Sequence, residues 1–268
     1  MAGTLFVSST SAAADRPKVI DELVSFNAPG SLEADQYRTL RHVVERLSQD
    51  SDLKVIAVTS PGPGDGKTVT TLNLAGSLAQ TPGSKILVID ADLHRPAVAS
   101  HLGLSLEGTP GLEDVVRADE MARVAQATRR IDALNISVLL SGGSHVAPYE
   151  VLGTPRVGAL IEHARTQYDY VIIDTPPAIP LADCRMLARW VDGFIVVVGA
   201  HTTPRRQLVD ALAAIERSKI VGLVFNGDDQ PMRAAYYGYY KARQRAAKKQ
   251  QAKVKTKPSS HPPSVVSN

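Results

Sequence analysis

The stretch "LKVIAVTSPGPGDGKTVTTLNLAGSLA", residues 53–79, decides the fold. A continuous apolar run over 53–60 reads as a buried strand. It breaks at Ser60-Pro61 into a turn with glycines at 62, 64 and 66, and a helical pattern then opens at Lys67 and Thr68. Glycines at that spacing let the backbone curl with its N–H groups pointing inward. A helix N-terminus adds partial positive charge and free N–H donors, so the turn suits a polyphosphate. The order strand, loop, helix is that of G-x-x-x-x-G-K-[ST], relaxed here because Pro61 holds the first glycine position. The candidate nucleotide-binding residues are therefore Gly62, Pro63, Gly64, Asp65, Gly66, Lys67, Thr68 and Val69. Lys67 is placed to reach the β- and γ-phosphates, and the Thr68 hydroxyl to ligate Mg²⁺.

Five further apolar runs follow: "SKILVID" (84–90), "NISVLLS" (135–141), "YDYVIID" (168–174), "GFIVVV" (193–198) and "KIVGLVF" (219–225). Strands without polar alternation are buried on both faces, as in a parallel sheet. Helical patterns over 67–80, about 155–167, 183–190 and 204–217 lie among them. The alternation predicts a doubly wound α/β domain, a mostly parallel sheet with helices on both faces, of the P-loop NTPase type.

Two of these runs end in aspartate: Asp90, with Asp92 two residues on, and Asp174. Ligands of open α/β sheets gather at the carboxyl ends of strands, so all three carboxylates are expected beside the phosphate loop. Hard oxygen donors of this kind suit Mg²⁺. The expected metal ligands are Thr68, Asp90 and Asp174, with Asp92 capping or positioning.

Composition bounds the rest. The 268 residues suffice for one large α/β domain with tails. Cys184 is the single cysteine, so no internal disulfide exists and a reducing compartment fits. No apolar run reaches the roughly 18 residues of a membrane span, and the first residues lack the features of a secretion signal. The expected address is the cytoplasm. Residues 230–268 carry nine Lys/Arg and no Asp/Glu, whereas the first 229 carry 21 against 27. The body is acidic and the tail basic. The domain is expected over 29–229. Residues 1–28 are expected to be poorly ordered, and 230–268 to form a flexible tail, disordered from about 242.

Four of the chain's eight tyrosines, Tyr236, Tyr237, Tyr239 and Tyr240, crowd into "YYGYY" just before the basic run. No alternating apolar pattern flanks them, so they do not read as a core strand. A second cluster lies in "LEADQYRTLRHVVERL" (32–47). Tyr37, Leu40, Val44 and Leu47 recur at helical spacing as an apolar face, and Asp35, Arg38 and Arg41 recur every three residues as a polar ridge.

The ordered set "SPGPGDGKT", "LVIDADLHRP" and "VIIDTPP" resembles the bacterial tyrosine kinases (BY-kinases) of capsular and exopolysaccharide synthesis. These are P-loop ATPases turned to protein phosphorylation. The resemblance runs from about residue 30 to 240 and includes "PGLEDVV" (110–116), "PYEVL" (148–152) and "GLVFNGDD" (222–229). It implies a Mg²⁺/ATP-dependent protein tyrosine autokinase, with Lys67, Asp90 and Asp92 as candidate catalytic residues and Asp90 as the first candidate base. It implies that Tyr236, Tyr237, Tyr239 and Tyr240 are phosphoacceptors, modified in trans. The family's E-x-x-R-x-x-R motif, which joins subunits into a ring, falls on Asp35, Arg38 and Arg41, with Asp in place of Glu. The arginine of the family's D-x-D-x-R falls on His94, followed by Arg95. His101 and His201 read as surface or loop residues.

The implied partners are further copies of the chain, a separate membrane polysaccharide co-polymerase as activator, and a tyrosine phosphatase. The implied location is the cytoplasm, with recruitment to the inner face of the membrane. No specific nucleic acid is expected. Two other classes share the motifs: partition and septum-site ATPases that switch on a surface, and a non-catalytic nucleotide-sensing scaffold of polysaccharide assembly. The former carry a lysine early in the loop, at the position of Gly62 here.

Overall fold

The structure, a computed structural model, describes residues 18–106, 108–118, 122–142, 148–179 and 183–228. Its sheet is built from β1 (Val55–Thr59), β2 (Ile86–Asp90), β3 (Thr128–Ile131), β4 (Ile136–Leu139), β5 (Tyr170–Asp174), β6 (Gly193–Gly199) and β7 (Ile220–Asn226). The strands lie in the order β3-β4-β2-β5-β1-β6-β7. Every pairing is parallel except that of β3 with β4. The doubly wound α/β architecture read from the apolar runs is thus the observed one.

The helices in chain order are α1 (Val24–Asn27), α2 (Leu32–Ser51), α3 (Lys67–Leu78), α4 (Val98–His101), α5 (Leu112–Ala118), α6 (Ala122–Ala127), α7 (Pro148–Leu152), α8 (Pro155–Gln167), α9 (Asp183–Leu187) and α10 (Arg205–Ala214). Successive strand residues feed opposite faces, as the pleat requires. Val55 and Ala57 of β1 and Val171 and Ile173 of β5 join Leu160, Ile161 and Ala211 from α8 and α10. Ile56, Val58 and Ile172 join Leu72 and Leu74 of α3 and Val44 of α2. This two-sided burial is why β1, β2, β5 and β6 read as unbroken apolar runs.

The edges depart from that pattern. β3, "TRRI", went unread because its two central arginines are exposed and it has no apolar alternation. Short, charged strands are how sheets protect their edges. It returns antiparallel to β4 through a 3₁₀ turn ending at Asn135, whose φ is +56°. At the other edge, β7 is apolar but half-covered, with Leu223 and Phe225 exposed. The helical patterns at 183–190 and 204–217 end earlier than expected, at Leu187 and Ala214.

The expected poor order of residues 1–28 is corrected from Lys18 onward. Leu23 and Phe26 are buried against α3. The Ser25 N–H donates to Asn73 Oδ1 at 2.9 Å, and Asn73 Nδ2 donates to the Glu22 carbonyl at 2.9 Å. A four-residue helix has no periodicity to read, and packing rather than propensity orders it. Among the described residues, no helix is long and apolar enough to cross a membrane. The tail 230–268, with Tyr236, Tyr237, Tyr239 and Tyr240, lies outside the described residues.

Candidate active site

The parallel register decides what meets. Asp90 at the end of β2 pairs with Asp174 at the end of β5, and Val58 of β1 lies opposite Asp174 on its other side. The loop leaving β1 therefore passes over the carboxylates that end its neighbours.

That loop is fixed internally and from two flanking elements. Gly64 and Gly66 take φ of +86° and +91°, the left-handed region open to glycine. The Gly62 N–H donates to Asp65 Oδ2 at 2.9 Å, and Ser60 Oγ donates to the Gly62 carbonyl at 2.6 Å. From the β6–α10 side, Thr203 Oγ1 donates to Asp65 Oδ1 at 2.6 Å and Gln207 Nε2 to the Pro61 carbonyl at 3.2 Å. From the end of β7, Asn226 Nδ2 donates to the Asp65 carbonyl at 3.1 Å. Pro63 and Gly64 form the exposed crest, and Val69, in the first turn of α3, packs against the core.

At the foot of α3, Thr68 Oγ1 donates to Asp174 Oδ2 at 2.6 Å and Thr71 Oγ1 to Asp174 Oδ1 at 3.3 Å. Lys67 Nζ pairs with Asp92 Oδ2 at 2.9 Å. Asp90 accepts from the backbone N–H of Asp92 at 3.3 Å and of Val98, the first residue of α4, at 3.1 Å. The expected candidates Lys67, Thr68, Asp90, Asp92 and Asp174 are thus gathered at one place. Burial pushes the Asp90 carboxyl well above the usual carboxylate range, and the charges of Asp174 and Asp92 add to this. Burial likewise raises Asp174 to about 6, against the opposing charge of Lys67 and the Thr68 hydrogen bond. Two buried carboxylates that repel each other beside a hydroxyl form the hard-oxygen set whose charge a divalent cation relieves. Thr68, Asp90 and Asp174 fit Mg²⁺.

Asp183 is a site residue that the sequence reading did not single out. It opens α9, is fully buried, and lies 3.4 Å from His94 Nε2. The Tyr149 ring meets His94 edge-on, with centroids 5.6 Å apart. A lone Asp within "PLADCRM" carries no spacing signal. Thr203 and Gln207 were equally silent, whereas Asn226 lay within the quoted "GLVFNGDD".

The ridge on α2 is engaged within the subunit. Asp35 pairs with Arg38, and Arg38 also donates to the Pro29 carbonyl. Arg41 Nη1 donates to the Ser77 carbonyl near the end of α3 at 2.9 Å. Burial raises the Tyr37 phenol above its ordinary value, against the opposing influence of Thr70 and Asn73 of α3. His201, with φ +63°, is exposed beside Asp228, and among the described residues no cluster of His, Cys, Asp or Glu forms a separate metal site.

A family model described as an AAA domain matches residues 53–217. The tyrosine-protein kinase YwqD of Bacillus subtilis (strain 168) is 36% identical over 220 residues, covering 81% of this chain and 90% of that one. The succinoglycan biosynthesis transport protein ExoP of Rhizobium meliloti (strain 1021) is 29% identical over 216 residues; these cover 76% of this chain but only 26% of ExoP. Among solved structures, the kinase domain of the Escherichia coli tyrosine kinase ETK superposes with a TM-score of 0.73 at 25% identity, covering 84% of this chain and 87% of that one. With the Walker-type loop, the paired strand-end carboxylates and these likenesses in agreement, the chain belongs to the bacterial tyrosine-protein kinase family of the P-loop type.

Proposed function

We propose that the chain transfers the γ-phosphoryl group of ATP to tyrosines of its own tail, Tyr236, Tyr237, Tyr239 and Tyr240, on a neighbouring copy. The observation that carries this reading is the convergence of Lys67, Thr68, Asp90 and Asp174 beneath a glycine-rich loop. Lys67 and the loop N–H groups hold the triphosphate, Lys67 exchanging its Asp92 partner for phosphate oxygens. Thr68, Asp90 and Asp174 hold Mg²⁺, which neutralises phosphate charge when bound. Phosphoryl transfer depends mostly on positioning and charge neutralisation, so a site of fixed donors suffices.

The relation to ExoP, a biosynthesis transport protein, supports a role in exopolysaccharide or capsule assembly. A membrane-borne component of that machinery is the activator in this reading, and it brings the kinase to the inner face of the membrane. In this reading copies assemble through the α2 ridge of Asp35, Arg38 and Arg41, which would exchange their contacts within the subunit for contacts with a neighbouring copy.

The test is incubation of the full chain with Mg²⁺/ATP, with Lys67→Met as control, and mapping of phosphotyrosine by mass spectrometry. Phosphate on Tyr236–Tyr240 that disappears in the control is the expected result. ATP binding without phosphotyrosine overturns the reading.

A further inference from the structure

The sheet treats its two edges differently. β3 is four residues long and exposes Arg129 and Arg130, as protected edges do. β7, "IVGLVFN", is seven residues long and holds neither a charge nor a proline. Among the described residues it ends the strand order. Parallel strands are normally covered on both faces, yet Leu223 is 40% and Phe225 63% exposed. Both lie on one face of β7, as the register partners of Val196 and Val198. Leu223 also lines a groove with Ile220, Arg217 and the α10 residues Leu212 and Ala213.

Gly222 is an independent sign. A Cβ there would meet nothing within 4 Å, so packing within the subunit does not require glycine. The pairing with β6 slips by one residue beside it, but its φ lies outside the left-handed region, so the slip does not require glycine either. A strand glycine that its own subunit does not need marks a place where another backbone comes close. The two ends of the strand also differ in charge. Arg217 and Lys219 precede it, and Asp228 follows it beside His201.

We infer that β7 pairs antiparallel with β7 of a second copy of this chain, about a two-fold axis at Val224. From Gly222 to Asn226 the register with β6 is unbroken, and a pair centred on Val224 uses that whole stretch. Leu223 of each copy then stands opposite Phe225 of the other, so the two exposed apolar side chains cover one another. Gly222 stands opposite Asn226 of the other copy, where the missing side chain lets the second backbone approach. The acidic end of each strand, at Asp228, meets the basic end of the other, at Lys219. A parallel pairing would instead set like charges together. The two-fold axis makes one strand its own complement, and it gives the outer N–H and C=O groups of the edge their partners. The pairing uses no residue of the α2 ridge and does not depend on the kinase reading.

The test is disulfide trapping in the full chain, whose native Cys184 is buried. Opposite residues of an antiparallel pair have Cα atoms about 4.5–5.5 Å apart, within disulfide reach, whereas diagonal ones lie about 7–8 Å apart, beyond it. An equimolar mixture of Leu223→Cys and Phe225→Cys is expected to form a linked dimer at least about tenfold faster under mild oxidation than either variant alone. Val209→Cys, exposed on α10, gives the background rate. In sedimentation velocity the wild-type chain is expected to dimerise without nucleotide. The double variant Leu223→Lys/Phe225→Lys is expected to associate at least about tenfold more weakly and to keep the native circular dichroism, since both side chains are exposed. Linking of the mixture no faster than of either variant alone overturns the inference, as does association unaltered in the double variant. A wild-type chain that stays monomeric also overturns it, and slow amide hydrogen exchange along β7 in that monomer would assign the edge to a different occupant.

Discussion

Thr68 Oγ1 donates to Asp174 Oδ2 at 2.6 Å, so the hydroxyl that follows the loop lysine is locked to the carboxylate that ends β5. The carboxylate is fully buried and raised to about 6, chiefly by its burial. A neutral amide in its place removes the buried charge and still accepts from Thr68 through its carbonyl. Asp174→Asn is therefore expected to fold with a melting temperature no lower than wild type at pH 8. It is expected to lose at least about 100-fold in phosphoryl transfer, because the charge that would face Mg²⁺ in the proposed reaction is gone. Differential scanning calorimetry beside a kinase assay separates the two effects. A joint loss of stability and activity would refute a role in chemistry alone.

Gly66 is held where no other residue fits. Its φ is +91°, and a Cβ there would lie 1.9 Å from Asn226 Nδ2. Gly66→Ala incurs left-handed strain of about 1–2 kcal/mol and pushes Asn226 off the Asp65 carbonyl. Nucleotide affinity is expected to fall at least about tenfold. Adding Asn226→Ala relieves the clash but not the strain, so the double variant is expected to recover stability only in part. Full recovery, read by thermal melting and nucleotide titration, would mean that the conformation at residue 66 is unimportant.

The catalytic end of the sheet was legible because its signals are local in sequence and its partners are forced by topology. Asp90 and Asp174 are 84 residues apart, yet parallel pairing of two apolar runs leaves few other places for them. Asp183, Thr203 and Gln207 act through contacts that no spacing announces, so they emerged only from the fold. Arg41 teaches the same lesson from the other side. As one of three residues in a polar ridge it reads as a surface charge, but the fold turns it onto the Ser77 carbonyl at the end of α3. β3 was missed because an edge strand hides its pattern behind two arginines.

Asp192 offers a pH test away from the active site. Its oxygens accept from Arg165 in bidentate fashion at 2.8 and 2.9 Å and from the N–H groups of Lys54 and Val55 at 2.9 and 2.7 Å. Burial alone would raise this carboxyl, but the Arg165 bonds and the two backbone donors together hold it below its usual value. A depressed folded-state pKa contributes stability above the unfolded value near 4 and loses it as pH falls through the folded value. Asp192→Asn is expected to cost about 1.5–3 kcal/mol at pH 7, with the gap to wild type closing below about pH 4. Urea unfolding at pH 7 and pH 3.5 measures it; a gap independent of pH would assign the loss to packing instead.

The N-terminal segment is a part of the core. Phe26 lies against Gly76 of α3, where a Cβ would come within 2.6 Å of its ring, and Leu23 is fully buried beside it. Burying a side chain of this size contributes about 1.5–3 kcal/mol, and the Ser25–Asn73–Glu22 hydrogen bonds add to that. A chain beginning at residue 29 is therefore expected to lose roughly 3–5 kcal/mol relative to one beginning at residue 18. It also exposes the apolar face of α3, the helix that carries Lys67 and Thr68 at its start. Gly76→Ala in the full chain is the gentler version, since it wedges Phe26 outward without removing it. Denaturation midpoints of the two truncations and of Gly76→Ala test this together. Equal midpoints for chains starting at 18 and 29 would show that the segment rests on the domain without holding it, and Gly76→Ala would then be neutral as well.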